Sequence, residues 1–126
     1  MKALILFAHG ARDPRWAAPF ERLRDTIRSR QPDLRVELAF LEFMSPSLPQ
    51  IAVSMAADGI TDITLVPVFL GQGGHVLRDL PLLLEEIHQQ APALRIALQP
   101  AVGESESVVA AMADYCLVQT GNQQIR

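Results

Sequence analysis

Short apolar runs alternate with helical patterns along the whole chain. Four of these runs are brief, rich in branched side chains and bounded by turn residues, which is typical of buried strands. The third is the most continuous, which favours a central strand buried on both faces. We expect strands over about Lys2–Ala8, Leu34–Phe40, Asp62–Phe69 and Leu94–Leu98.

Between the strands, apolar residues recur every three or four positions, which predicts helices with one buried face. Pro19 lacks a backbone donor, so the regular part of the first helix is expected to begin near it. Alternating strands and helices indicate parallel βαβ units, and right-handed crossovers favour the strand order 2-1-3-4. The expected helices cover about Asp13–Arg30, Ser47–Asp58, Leu77–Gln90 and Ser105–Gln119.

The fold class is therefore α/β, a three-layer sandwich with a four-stranded parallel sheet and helices on both faces. At 126 residues and 49% hydrophobic content, we expect one domain over residues 1–120 and a polar, frayed tail over 121–126. The single cysteine, Cys116, rules out an intramolecular disulfide. It lies on the last predicted helix, and we expect it to be a small residue of the hydrophobic core.

Charge and targeting signals bear on the partners and the cellular location of the protein. Residues 1–35 carry eight Lys/Arg against four Asp/Glu, yet the net charge is −3, which gives no reason to expect nucleic acid. The N-terminus lacks the small-residue cleavage site of a signal peptide, and no apolar run is long enough for a bilayer. We expect a cytoplasmic protein that contacts no membrane.

Two histidines follow buried strands and are the first candidates for chemistry. His9 ends the first run, and His75 closes the loop after the third. Ligands of open parallel sheets bind beyond the carboxyl ends of the strands, and adjacent strands lie about 4.8 Å apart. Two imidazoles at one such edge indicate a metal site or an acid–base pair. A strand-end histidine bonded to nearby backbone remains an alternative.

Other residues at the same edge add possible functions. Gly71, Gly73 and Gly74 suit close approach of a ligand to the main chain, although a plain flexible turn would use them too. Glu42 follows the second strand and is a candidate ligand, general base or solvated carboxylate. The nearby arginines can bind substrate carboxylates or form surface ion pairs; they are Arg12, Arg15 and Arg78.

Taken in order, several motifs resemble the class II tetrapyrrole chelatases. The nearest likeness is to the short single-domain form of the sirohydrochlorin cobalt- and iron-chelatases, and it covers nearly the whole chain. The motifs that carry it are HGARDPR at 9–15, AFLEFMSPSLP at 39–49, VPVFL at 66–70, GGHVLRDLP at 73–81 and PAVGE at 100–104.

This resemblance implies an enzyme that inserts a divalent metal into a sirohydrochlorin-like tetrapyrrole without ATP. It implies that His9 and His75 hold the metal, that Glu42 assists, and that His9 accepts protons. The metal would be Co²⁺ first, with Fe²⁺ or Ni²⁺ as others, and no further cofactor. The short form is expected to pair as a homodimer. The implied substrate contacts are Arg12, Ser45, Leu70, Gly71, Gln72, Gly73, Gly74 and His75.

Two positions depart from the family pattern. Ala11 stands where Ser or Thr usually follows His-Gly, and Gln72 stands where a small or apolar residue or Pro is common. Neither departure removes a metal ligand.

Three other functions stay open from the residues alone. The same crevice would serve a non-catalytic carrier of metal or tetrapyrrole, or a structural protein without chemistry at either histidine. A phosphotransfer or hydrolase domain is disfavoured, because Ala8 stands where histidine phosphatases place an arginine before the histidine.

Overall fold

The computed structural model describes residues 1–71 and 74–123, and of residues 74, 75, 77, 122 and 123 it describes the backbone only. Four parallel strands form one sheet in the order β2-β1-β3-β4, which confirms the predicted topology. The switch in direction lies between β1 and β3, at the middle of the sheet. The strands are β1 Lys2–Ala8, β2 Arg35–Phe40, β3 Asp62–Pro67 and β4 Arg95–Leu98.

Four α-helices and two short 3₁₀ segments connect and follow these strands. Asp13 caps the first 3₁₀ segment by accepting from the Arg15 N–H at 2.9 Å, and Ser47 and Gln50 cap α2 reciprocally. The helices are α1 Ala18–Arg30, α2 Leu48–Ala57, α3 Gly74–Gln90 and α4 Glu106–Gln123, and the 3₁₀ segments are Pro14–Ala17 and Val102–Glu104.

Several element ends differ from the predicted ones. As expected, the regular part of the first helix begins beside Pro19, and a 3₁₀ segment precedes it. β3 ends at Pro67, two residues earlier than predicted, and α3 begins three residues earlier, at Gly74. The backbone of His75 therefore lies in the first turn of a helix rather than in a loop. α4 continues to Gln123, so part of the segment expected to fray is helical.

One face of the sheet is covered by α2 and α3. The core on this side combines alternate residues of the strands with the apolar stripes of both helices. Met55 of α2 and Ile87 of α3 are almost completely buried. Its largest fully buried members are Ile5, Phe7, Leu48, Met55, Ile63, Leu65 and Ile87.

The opposite face is covered by α1, which packs over β2 and β1. Val36 and Leu6 are buried beneath it, whereas Thr64 and Ala97, on the same face of β3 and β4, are exposed. On this side, burial of the sheet therefore decreases from the β2 edge to the β4 edge. Its buried members are Leu6, Ala8, Ala17, Val36, Leu38, Phe40 and Val68.

The last helix does not complete this second layer. α4 makes its main contacts with Val102–Glu104, immediately before it in the chain, and its residues from Val109 to Gly121 are exposed. The prediction that Cys116 lies in the core is wrong, because the thiol lies on this exposed helix. The apolar pattern indicated that the helix needs to be covered, but it did not indicate which surface covers it. Of the helices in the described ranges, none is long and apolar enough to cross a membrane.

Candidate functional site

The carboxyl edge of the sheet joins His9 and Glu42 through the backbone. The Leu41 N–H donates to the Ala8 carbonyl at 2.9 Å, and the Glu42 N–H donates to the His9 carbonyl at 3.0 Å. These bonds continue the β1–β2 ladder for two residues beyond its strands. His9 and Glu42, predicted from separate strands, are therefore neighbours with a fixed main-chain separation.

Gly10 makes this close approach possible. Its φ is +94°, in the left-handed region, and a Cβ atom at this position would collide with the Glu42 carbonyl oxygen. Glycine is therefore required twice, for its backbone conformation and for the missing side chain. The turn after His9 thus lies directly against the backbone of Glu42.

The ring of His9 lies against the segment that follows β3. Its centroid is 4.7 Å from that of Phe69, with the ring planes at 50°. Phe69 also makes an edge contact with Phe7 at 6.4 Å, so buried aromatic packing supports the half-buried imidazole. This contact brings together the carboxyl ends of β1 and β3, where ligands of such sheets bind.

The next residue, Leu70, is 66% exposed at this edge. Its backbone is held from below by Gly103, where a Cβ atom would collide with the Leu70 main chain, and the Gly103 N–H donates to the Phe69 carbonyl at 3.2 Å. Leu70 is thus an apolar side chain presented outward from a supported backbone. Gly71, also predicted to contact substrate, follows it and is exposed.

A hollow of about 330 Å³ opens beside the His9–Glu42 pair and brings together two of the predicted substrate contacts, Arg12 and Ser45. The Arg12 guanidinium carbon lies 4.9 Å from the centroid of the Phe43 ring, in cation–π geometry. The hollow therefore offers a cation and an aromatic ring on one wall. Its lining residues are Ala11, Arg12, Pro14, Ala17, Glu21, Phe40, Phe43, Met44 and Ser45.

Phe43 was missed by the sequence interpretation. It is 58% exposed and has a φ of +67°, a conformation that is uncommon for a bulky residue and concentrates at functional sites. The loop that carries it is closed at its base, where the Phe40 N–H donates to the Pro46 carbonyl at 2.9 Å across the cis Ser45–Pro46 bond. A large aromatic directly after Glu42 was the available signal.

Arg15 is engaged locally. Its guanidinium donates to both carboxylate oxygens of Asp13, the shortest distance being 2.7 Å. This contact lowers the pKa of Asp13 and raises the pKa of Arg15. Arg15 therefore stabilises the turn after His9, whereas Arg12 lines the hollow.

The remaining predicted site residues lie at the limit of the described chain. Gln72 and Gly73 lie outside the described residues, as does the side chain of His75. Among described side chains, no group of three His, Cys, Asp or Glu residues could hold a metal ion. The predicted set needs His75, so its geometry stays a prediction.

Family and sequence comparisons agree with one another. The model of the CbiX family matches residues 3–116. A sirohydrochlorin cobaltochelatase of Sulfurisphaera tokodaii is 31% identical over 108 residues, which cover 86% of this chain and 85% of that protein. One of Methanococcus aeolicus is 36% identical over 84 residues, or 67% of this chain. The chain spans 59% of the length of that second relative.

Solved structures share the fold. A cobalamin (vitamin B12) biosynthesis CbiX protein from Marinobacter aquaeolei VT8 superposes with a TM-score of 0.83 at 27% identity, over 97% of this chain and 99% of that one. The sirohydrochlorin chelatase SirB from Bacillus subtilis subspecies spizizenii, solved with cobalt, gives a TM-score of 0.75 at 24% identity. That alignment covers 87% of this chain and 47% of SirB.

Proposed function

Because the chain belongs to the CbiX family, we propose that it inserts a divalent metal ion, Co²⁺ first, into sirohydrochlorin or a related tetrapyrrole without ATP. The observation that carries this proposal is the pairing of His9 with Glu42 at the carboxyl edge of the central strand. A relative of similar length bears the name of the same activity. The enzyme is thus a metal chelatase whose metal ion is a substrate.

The reaction requires a metal holder and a proton acceptor on one side of the ring. Two pyrrole N–H protons leave as the metal exchanges its water for ring nitrogens, so charge balances when a dication replaces two protons. Imidazole binds metal in its neutral form, and carboxylates accept protons. In the proposal His9 and His75 hold the incoming ion and Glu42 completes its coordination. As the ion passes to the ring nitrogens, the lone pair of His9 and the Glu42 carboxylate become free and receive the two protons.

The open wall beside this pair suits a flat, carboxylate-rich ring. Arg12 can bind a peripheral carboxylate, for which guanidinium geometry is well matched. Leu70 and Phe43 are exposed apolar side chains and can lie against the macrocycle. The proposed contacts also include Ser45 and the segment Gly71–His75.

The choice of metal, the oligomeric state and the cellular location with its partners are also parts of the proposal. Affinity order does not select the metal, because Ni²⁺ and Co²⁺ both bind such donors more tightly than Fe²⁺. We also propose that the chain forms a homodimer, since a lone domain leaves the site open on one side. The expected cytoplasmic location, without nucleic acid or membrane partners, also stays a prediction.

The test is metal insertion followed by absorbance without oxygen. Purified protein is mixed with sirohydrochlorin and Co²⁺, and the rate is compared with the spontaneous rate. His9→Ala and His75→Ala should both return the rate to the spontaneous background. His88→Ala is the matched control, because His88 is an exposed histidine at the other end of α3, and it should keep the wild-type rate.

The outcomes separate an enzyme from a carrier. A wild-type rate equal to the background, with binding of Co²⁺ or sirohydrochlorin retained, would contradict the chelatase and favour a carrier. Loss of rate in His88→Ala as well would show that the variants act through folding. Circular dichroism of each variant checks that possibility directly.

A further inference from the structure

The turn that follows β4 lies at the carboxyl edge of the sheet, beside the end of β3. The Gln99 N–H donates to the Leu65 carbonyl at 2.9 Å, so β4 stays paired with β3 for one residue beyond its end. The chain then forms the 3₁₀ segment Val102–Glu104. The sequence motif at residues 100–104 covers this turn, and the proposed reaction assigns it no function.

Two backbone contacts join this turn to the segment after β3. The Gly103 N–H donates to the Phe69 carbonyl at 3.2 Å. Gly103 also lies against the Leu70 main chain, where a Cβ atom would overlap the Leu70 carbonyl oxygen. The φ of Gly103 lies outside the left-handed region, so glycine is needed here for its missing side chain and not for its backbone conformation.

The turn is anchored more firmly than the segment it contacts. The Glu104 carboxylate accepts from the Ala101 N–H at 3.2 Å, and the Glu104 N–H donates back to the Ala101 carbonyl at 2.9 Å. Ala101 is buried, and Val102 packs against the core beneath α1. Leu70, by contrast, is 66% exposed. An atom added at Gly103 should therefore displace the Leu70 backbone rather than the turn.

The segment held by this turn reaches the candidate site in two ways. The Phe69 ring lies 4.7 Å from the His9 ring, measured between their centroids. Leu70 is the next residue, and the chain arrives at His75 five residues later. The backbone that Gly103 holds thus supports one candidate metal ligand through a ring contact and precedes the other along the chain.

We propose that Gly103 is a positioning residue for metal insertion, which sets the backbone of Phe69 and Leu70 and thereby the place of the His9 ring and the start of the segment that leads to His75. The inference rests on the proposed function and adds a residue that touches neither the metal nor the macrocycle. Placement matters because a displacement of about 1 Å can lower a rate about 10²-fold. Glu104 acts with Gly103 by holding the turn.

The first experiment adds one methyl group, in Gly103→Ala, and observes the His9 ring by proton NMR. The chain has three histidines, His9, His75 and His88, so their Hε1 signals are assigned by removing each imidazole in turn. The ring current of Phe69 acts on His9, and the His9 signal should therefore move by more than its line width in Gly103→Ala. The signal of His88, which is exposed at the far end of α3, should stay in place.

Two control variants separate positioning from stability. Gly121→Ala adds the same methyl group on the exposed part of α4, where within the described ranges a Cβ atom would meet nothing within 4 Å beyond its own helix. Ile63→Val removes a methyl group from the buried amino end of β3, and so lowers the midpoint of urea unfolding away from the site. Both should keep the wild-type His9 signal.

The second measurement is the rate of Co²⁺ insertion into sirohydrochlorin. Gly103→Ala should lower kcat about 10- to 100-fold, because the added methyl group displaces groups that must be aligned. Gly121→Ala and Ile63→Val should keep the wild-type kcat. Glu104→Ala should also lower kcat, and Glu104→Gln should restore it, because an amide oxygen accepts from the Ala101 N–H as a carboxylate does.

Three results would overturn the inference. An unmoved His9 signal in Gly103→Ala would show that the turn does not place the imidazole. A moved signal with a wild-type kcat would show that the contact does not serve the reaction. Equal losses of kcat in Gly103→Ala and Ile63→Val would show that both act through stability.

The NMR measurement keeps this inference separate from the proposed function. It is made without metal or tetrapyrrole, at a pH where the histidines are neutral. A wild-type chain that does not insert Co²⁺ would contradict the proposed function, whereas an unmoved His9 signal contradicts only the positioning by Gly103. If Gly103→Ala does not fold, Glu104→Ala provides the same test without an added atom, and its His9 signal should move and return in Glu104→Gln.

Discussion

The two ends of the same sheet use their polar residues differently. At the amino end, Asp62 and Arg95 of neighbouring strands bond to each other at 2.7 Å, and Thr61 donates to the same carboxylate. At the carboxyl end, His9 packs against an aromatic ring and Arg12 lies over another. Charges at the first end satisfy one another, whereas the second end is positioned by backbone bonds and aromatic contacts.

This difference shows how a small sheet separates stability from chemistry. Backbone hydrogen bonds hold His9 beside Glu42 without using the imidazole for the purpose. Strain is concentrated at the same end, in the positive φ of Phe43. Removal of a side chain at the carboxyl end should therefore alter metal insertion more than folding, and removal of a charge at the amino end should do the reverse.

Of the changes predicted for the two ends of the sheet, removal of the His9 imidazole should have the largest effect. His9→Ala should lower the rate of Co²⁺ insertion between about 10²- and 10⁴-fold, the range of a positioned proton acceptor. The midpoint of urea unfolding should shift little, because the ring is only half-buried. A rate within threefold of wild type would contradict its assigned function.

A matched pair of glycines tests the link between the two strand ends. Gly10 and Gly59 both have a φ of +94°, but only Gly10 lies against another backbone. Gly59→Ala should cost about 1 kcal/mol from the left-handed conformation alone. Gly10→Ala should cost about 3 kcal/mol or more, since overpacking adds to that strain.

Urea unfolding measures both costs. Equal losses would show that the loop bearing Glu42 moves aside without resistance. Unequal losses, with metal insertion impaired only in Gly10→Ala, would show that the close backbone approach serves the site.

Phe43 allows the aromatic surface to be separated from the strain. Phe43→Ala and Phe43→Gly both remove the ring, so both should raise the KM for sirohydrochlorin about two- to tenfold, as expected for an aromatic contact. The glycine variant should be the more stable of the two by about 1 kcal/mol, because glycine adopts the positive φ without penalty. An unchanged KM in both would exclude Phe43 from the substrate surface.

The smallest expected effect is at the amino end. The Arg95 guanidinium, helped by Thr61, holds the pKa of Asp62 at about 2, below its ordinary value of 3.8. A depressed carboxyl pKa stabilises the fold above the unfolded-state value and loses this contribution as pH falls through about 2.

Asp62→Asn should therefore lower the thermal midpoint slightly at neutral pH and flatten its dependence between about pH 4 and 2. The effect is small because Asp62 and Arg95 remain partly exposed. Asp33→Asn, at an exposed turn before β2, is the control and should leave the acid dependence unchanged. Co²⁺ insertion should match the wild type in both.

Much of the fold was accessible from periodicity. β1 was predicted over the residues it occupies, and the strand order follows from parallel crossovers that have one favoured hand. The error at Cys116 has a physical cause. An apolar helix must be covered, but the sequence of one chain does not state whether the cover belongs to that chain.

The site was predicted in part for the same reason. His9 and Glu42 follow the ends of neighbouring parallel strands, so their proximity follows from topology. The contact between Arg12 and Phe43 does not, because it depends on a left-handed residue within a closed loop. Hydropathy would place Phe43 inside, where most phenylalanines lie.

The ladder that continues past β1 and β2 also constrains chain length. Each residue inserted between Phe40 and Glu42, or between Ala8 and Gly10, would shift the pairing by one position and turn the side chains to the opposite face. Insertions and deletions should therefore be excluded from these two short stretches. The six residues from Leu41 to Pro46 are closed at their base by the Phe40–Pro46 bond. A loop redesigned for other macrocycles can therefore change its number of residues after Phe43 without moving His9.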